Sequence, residues 1–173
     1  FINNFEEVFS STTHFSLVDK FNNVLSATSS IESSFGSRLF TNGFFLNNQL
    51  TDFSFKITDD SGVLIKNRPQ AEKKPLSSMS PLIIFDNNKN FYMTVGSPGG
   101  KAIISYVFKS LISTLYLNKN IERAINEPNY IKIKDKIFVE TDSLRDIVKQ
   151  NALKRNLTSG LAIIIKKKKN FEA

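Results

Sequence analysis

The chain has 173 residues, 40 % apolar and 23 % charged, proportions ordinary for one soluble globular domain with a sizeable core. It contains no Cys and a single histidine, His14, which excludes disulfides, thiolate metal sites and multi-histidine metal centres. The formal charge of +7 raises nucleic-acid binding. The basic residues are scattered, however, except for the lysine run 166–169, which follows the apolar run 161–165 and reads as a solvated strand end.

Residues 1–11 are polar and irregular. From residue 13 to 18, Phe15 and Leu17 alternate with His14 and Ser16, a short strand pattern. The polar turn Asp19-Lys20-Phe21-Asn22-Asn23 follows, where Asn22 tolerates a positive φ, and residues 24–29 read as the returning strand. Centring this hairpin on Phe21 places Thr12 opposite Ser30. Residues 33–48, with Gly36 and Gly43 among Phe and Leu, read as buried extended chain with bends, and 59–74 as a loop. Residues 82–85 and 91–95 form a second hairpin, whose first strand is apolar throughout and is expected to be buried on both faces.

After Gly96-Ser97-Pro98-Gly99-Gly100 comes the clearest helix. Ile104, Val107, Phe108, Leu111, Ile112 and Leu115 fall on one apolar stripe. A short helix starts near Asn120 and stops before Pro128, and a third is expected at 143–150 with Ser143 as its N-cap. Strands at 136–140 and 161–165 complete the pattern. There is no internal repeat, no apolar stretch of about 18 residues that could span a membrane, and no signal-peptide pattern at the start. The reading is a single α+β layer domain, antiparallel hairpins with helices packed on them.

Five segments stand out together: Thr12-Thr13-His14-Phe15-Ser16, Ser30-Ile31-Glu32, Leu46-Asn47-Asn48-Gln49-Leu50-Thr51-Asp52-Phe53, Pro75-Leu76-Ser77-Ser78-Met79-Ser80-Pro81 and Gly96-Ser97-Pro98-Gly99-Gly100. Each is weak alone. In this order, over residues 12 to about 165, they resemble the small catalytic subunit of the gamma-glutamyltranspeptidases. That resemblance implies the αββα four-layer sandwich of the N-terminal-nucleophile hydrolases, of which this chain would be the small-subunit half. Residues 1–11 would be precursor lying upstream of a self-cleavage point between Ser11 and Thr12, and 12–173 the catalytic domain, ending short of the family's tail.

The resemblance assigns the nucleophile to Thr12. A Thr hydroxyl needs a base, and the α-amine freed by cleavage, titrating at about 7.7–8.0, can serve. Ser30 stands where the family commonly has a Thr whose hydroxyl bonds the nucleophile. Gly99 and Gly100 would form the oxyanion hole at the helix start, where glycine lets the backbone approach a ligand and N–H groups favour negative charge. Glu32, Gln49 and Asp52 would face the α-ammonium of a gamma-glutamyl donor, and the hydroxyls of Ser77 and Ser78 its carboxylate. Some members have Asn at the position of Glu32, and both residue types accept hydrogen bonds. His14 reads as a packed or hydrogen-bonded structural histidine, since the family does not use it as the base.

The implied activity is transfer and hydrolysis of glutathione and related gamma-glutamyl amides, to an amino acid, a peptide or water, with no metal and no cofactor. The implied partner is a large subunit cut from the same precursor, which supplies an Arg clamp absent here. In bacteria the family implies a periplasmic or extracellular location. A glutaryl or cephalosporin-type acylase is the alternative, disfavoured because it would leave the acceptors at Glu32, Gln49 and Asp52 unpaired. A basic nucleic-acid module is disfavoured by the scatter of the lysines, so no nucleic-acid partner is expected.

Overall fold

A computed structural model describes residues 12–148, 151–157, 159–167 and 170–173. The expected precursor segment 1–11, and with it Ser11, lies outside the described residues, as do Gln150 and the lysines at 168 and 169.

The first hairpin pairs β1 (Thr12–Val18) with β2 (Val24–Ser30), antiparallel, with Thr12 opposite Ser30 as the turn predicts. The Asp19 carboxylate closes that turn by accepting from the backbone N–H groups of Phe21 and Asn23, and Asn22 takes φ 64°. A four-stranded sheet in the order β11-β10-β6-β5 is built from β5 (Leu82–Phe85), β6 (Phe91–Gly96), β10 (Ala162–Lys167) and β11 (Asn170–Glu172). Two smaller sheets complete the strands. One is the hairpin of β3 (Phe40–Thr41) and β4 (Phe44–Phe45), and the other holds β7 (Tyr130–Ile133), β8 (Lys136–Val139) and β9 (Ala152–Lys154). The β8–β9 pair is parallel, which the hairpin reading did not anticipate.

β6 organises the molecule because its two faces meet different layers. Met93 and Val95 are fully buried and pack with Ile163 and Ile165 of β10 against Ile103 and Val107 of α1 (Ile103–Leu111). Burial of each such side chain contributes about 1.5–3 kcal/mol. On the opposite face, Thr94 and Gly96 meet the first hairpin. The chain therefore stacks hairpin, sheet and helix, and two hydrogen-bonded sheets lie face to face.

Four expectations need correction. Residues 33–48 are not buried chain: Phe35, Leu39, Phe40, Phe44, Phe45 and Leu46 are exposed, and of this stretch only Gly36 is buried. The apolar stripe on α1 is real, but Ile104 and Phe108 point outward, 56 % and 55 % exposed, and Ile112 and Leu115 are also exposed. The face turned to the core carries Ile103, Tyr106, Val107 and Ser110, and continues through Ser113 and Thr114 in a π-helical turn, Ile112–Tyr116. Ser110 and Thr114 are accommodated by donating to the carbonyls of Tyr106 and Ser110, so small hydroxyl residues bring the helix close to the sheet. β5 is an edge strand with Ile83 and Phe85 exposed, not a strand buried on both faces. The third helix, α3 (Asp142–Val148), begins one residue earlier than expected, and Thr141 rather than Ser143 bonds its first turn, accepting from Leu144 N–H. The second helix, α2 (Ile121–Asn126), is capped by Asn120 as its sequence implies.

Candidate functional site

Thr12 opens β1 at the hairpin's open end, and its Oγ1 donates to Ser30 Oγ across 3.2 Å. Ser30 Oγ also accepts from the backbone N–H of Glu32 at 3.0 Å. That second bond helps hold Glu32 at φ 70°, a left-handed conformation costing a non-glycine residue about 1–3 kcal/mol. Ser30 thus joins the Thr12 hydroxyl to the bend that aims Glu32.

Glu32 Oε2 accepts from Ser33 Oγ and from Asn48 Nδ2, both at 2.5 Å. Asn48 returns a bond through Oδ1, which accepts from Ser33 N–H at 3.0 Å. Gly36 brings the two segments together: at φ 53° it lies so near Leu46 that a Cβ there would fall 2.1 Å from the Leu46 carbonyl oxygen. Asn48, which holds the Glu32 carboxylate, is a further candidate residue that sequence reasoning does not single out, although it sits inside a motif that stands out.

Gln49 and Asp52 share one 3-10 turn, Gln49–Asp52, and the Gln49 amide donates to Asp52 Oδ2. Burial pushes the Asp52 carboxyl above its ordinary range; the Gln49 hydrogen bond opposes this, the Glu32 charge adds to it and the Lys101 charge opposes it. Glu32, Asp52 and Lys101 therefore share one electrostatic neighbourhood. Asn67 ties in the next segment, its Nδ2 donating to the Asp52 carbonyl at 2.6 Å and its Oδ1 accepting from Leu76 N–H at 3.1 Å. Ser77 and Ser78 follow directly, so the stretch read as a loop is a fixed brace between the two expected substrate-reading segments. Ser77 Oγ accepts from Met79 N–H, and the Ser78 carbonyl accepts from Ser80 Oγ.

Gly99 and Gly100 stand at φ 136° and 54°, followed by a 3-10 turn, Gly100–Ala102, that leads into α1. Few side chains tolerate the first of these. The turn is hemmed in by rings: Tyr106 lies against Gly99, and the Pro98 ring against Gly160.

His14, two residues along β1 from Thr12, spans the space between the two sheets. The hydrogen bonds place a proton on Nε2. Thr94 Oγ1 donates to the Leu82 carbonyl at 3.0 Å, so it accepts from Ser16 Oγ at 3.2 Å, and Ser16 in turn accepts from His14 Nε2–H at 3.1 Å. Nδ1 and Thr28 Oγ1 share a hydrogen bond of 2.8 Å. Burial holds the imidazole's pKa below the ordinary value, which favours the neutral ring, with Nδ1 accepting from Thr28.

Comparison with known proteins gives a consistent answer. A family model for gamma-glutamyltranspeptidase matches residues 5–169. The glutathione hydrolase proenzyme of Bacillus subtilis (strain 168) is 39 % identical over 125 residues, 71 % of this chain and 20 % of the relative. The corresponding proenzyme of Escherichia coli (strain K12) is 36 % identical over 125 residues, 69 % of this chain and 21 % of the relative. The chain thus spans about a fifth of the length of these curated relatives. Among solved structures, a mutant gamma-glutamyltranspeptidase of Helicobacter pylori superposes with TM-score 0.78 at 32 % identity, covering 92 % of this chain and 95 % of that one. The Pseudomonas nitroreducens enzyme gives 0.79 at 28 %, covering 92 % of each. The fold is therefore that of the N-terminal-nucleophile hydrolases, and the chain belongs to the gamma-glutamyltranspeptidase family.

Proposed function

We propose that this chain is the catalytic small-subunit part of a gamma-glutamyltransferase and glutathione hydrolase, with Thr12 as its nucleophile once the bond from Ser11 to Thr12 is cut. The observation that carries the reading is the pairing of the Thr12 and Ser30 hydroxyls at the end of a hairpin stacked on the strand that runs into Gly99 and Gly100.

The freed α-amine of Thr12 takes the proton from Oγ1 as that oxygen attacks the donor's gamma-carbonyl carbon. The N–H groups of Gly99 and Gly100 meet the negative oxygen of the tetrahedral intermediate, each such donor contributing about 2.7–4 kcal/mol. The C–N bond breaks, the leaving amine collects the proton from the Thr12 ammonium, and a gamma-glutamyl ester remains on Thr12. Water or the amine of an amino acid or peptide then attacks the ester, losing a proton to the α-amine, and Thr12 is restored. Glu32, Gln49 and Asp52 accept from the donor's α-ammonium, and Ser77 and Ser78 donate to its carboxylate.

The partner in this reading is a large subunit from the same precursor. The hairpin supports it: Thr12, His14, Ser16 and Thr28 turn inward, while Phe15, Leu17 and Leu25 stand outward, each about half exposed. An outward apolar hairpin face of this kind suits cover by another layer. Ile104 and Phe108 leave a second such face on α1.

The test is the complete precursor, expressed and allowed to mature, assayed with gamma-glutamyl and glutaryl anilides. Much faster turnover of the gamma-glutamyl compound is expected; comparable rates for the two donors would favour an acylase.

A further inference from the structure

A Cβ built at Gly99 would fall 2.6 Å from Cε2 and 3.1 Å from Cδ2 of Tyr106. The ring therefore occupies the place a side chain on Gly99 would need. Tyr106 lies seven residues further on, two turns into the helical segment, so it returns to the side on which the chain entered. It is 1 % exposed and packs in a second core with Ala102 of the preceding turn, Ile131 of β7, Phe138 of β8 and Leu157 before β10.

The phenol itself is chemically idle. Burial, helped by the Glu140 charge and opposed by Arg155, pushes it up to about 12, so it stays protonated throughout the working range. Among the described residues its Oη has no hydrogen-bond partner. What remains for this side chain to do is steric. Gly99, at φ 136°, has no Cβ to restrict it, and the ring packed beside its Cα limits where that backbone can go.

We infer that Tyr106 is a positioning residue that holds the Gly99–Gly100 turn, and with it the two N–H groups, by backing Gly99 with its ring. This rests on the function proposed above. It makes the β7–β8 layer part of the site's support, since Ile131 and Phe138 share the core in which the ring is buried. A shift of about 1 Å in such donors is enough to cost about 100-fold in rate without altering ground-state binding much.

The experiment uses the matured two-chain enzyme carrying Tyr106→Phe or Tyr106→Leu, with kcat and KM measured for a gamma-glutamyl anilide well below each variant's Tm. Tyr106→Phe keeps the ring and is expected to hold kcat within about twofold, with no loss of Tm, because the hydroxyl it removes is unpartnered. Tyr106→Leu fills much of the core but not the place beside Gly99, and is expected to lower kcat about 10- to 100-fold with KM within about threefold. An unchanged kcat in the leucine variant would overturn the inference. So would equal losses in both variants, which would assign the role to the hydroxyl, or a leucine loss expressed only in KM. An inactive unmutated enzyme would instead remove the proposed function on which the inference rests.

Discussion

The imidazole of His14 occupies the space above Gly96 so closely that a Cβ added to Gly96 would fall 2.1 Å from Cε1 and 2.4 Å from Nδ1. These two residues belong to the two ends of the proposed chemistry: His14 lies two positions from Thr12, and Gly96 begins the segment that ends in Gly99 and Gly100. Gly96→Ala is expected to destabilise the matured protein by about 1–3 kcal/mol in denaturant unfolding, the usual cost of overpacking. The same change made in a His14→Ala background should cost much less, because the methyl group enters the space the ring has left. Equal costs in both backgrounds would show that the contact is not what excludes a side chain at Gly96.

His14 also sets a pH dependence of stability. Its folded-state pKa is lowered by burial, and the hydrogen-bond chain from Thr28 to Leu82 suits the neutral ring. A depressed pKa contributes stability that is fully present above the unfolded value, about 6.5, and is lost as pH falls through the folded one. Unfolding free energy should therefore decline on acidification below about pH 6.5, and His14→Gln should flatten that decline. The measurement is a series of denaturant melts across this range.

Ser30 accepts from both Thr12 and the backbone of Glu32. Ser30→Ala removes both bonds; loss of the one to the nucleophile, contributing about 0.5–1.5 kcal/mol, should lower kcat for a gamma-glutamyl anilide about 2- to 10-fold. Ser30→Thr, which keeps the hydroxyl, should retain most of the rate. Steady-state kinetics on the two variants decides this.

Asp52 must be ionised to accept from a donor ammonium, and burial raises its pKa from the ordinary carboxylate value. As pH falls into that range the carboxylate gains a proton and loses its charge, so KM for gamma-glutamyl donors should rise there. Asp52→Asn should remove that rise, and should also narrow the preference for gamma-glutamyl over glutaryl anilides. A pH profile of kcat/KM for both proteins supplies the comparison.

Much of this arrangement was legible in the sequence because it is local. The Asp19-to-Asn23 turn sets the register that puts Thr12 opposite Ser30, and glycine at 99 and 100 marks a turn before a helix. What was not legible depends on distant chain. Asn48 acts on Glu32 from sixteen residues away, and Asn67 reaches Asp52 and Leu76 from fifteen and nine. As isolated amides in loops, neither carries a periodic or spacing signal. The inward face of α1 departs from the apolar stripe because Ser110, Ser113 and Thr114 are buried while Ile104 and Phe108 are not. Hydrophobic periodicity cannot identify such a face when the helix has apolar residues on two sides and only one is covered by this chain.

The central claim is that Thr12 acts with its own α-amine, which requires a free amine on that residue. Intact-mass measurement and N-terminal sequencing of the complete precursor test it most directly. The account predicts two chains, the smaller beginning at Thr12, and a single uncut chain for Thr12→Ala. A new N-terminus at any other residue, or a Thr12→Ala precursor that still splits before residue 12 at the unmutated rate, would contradict it.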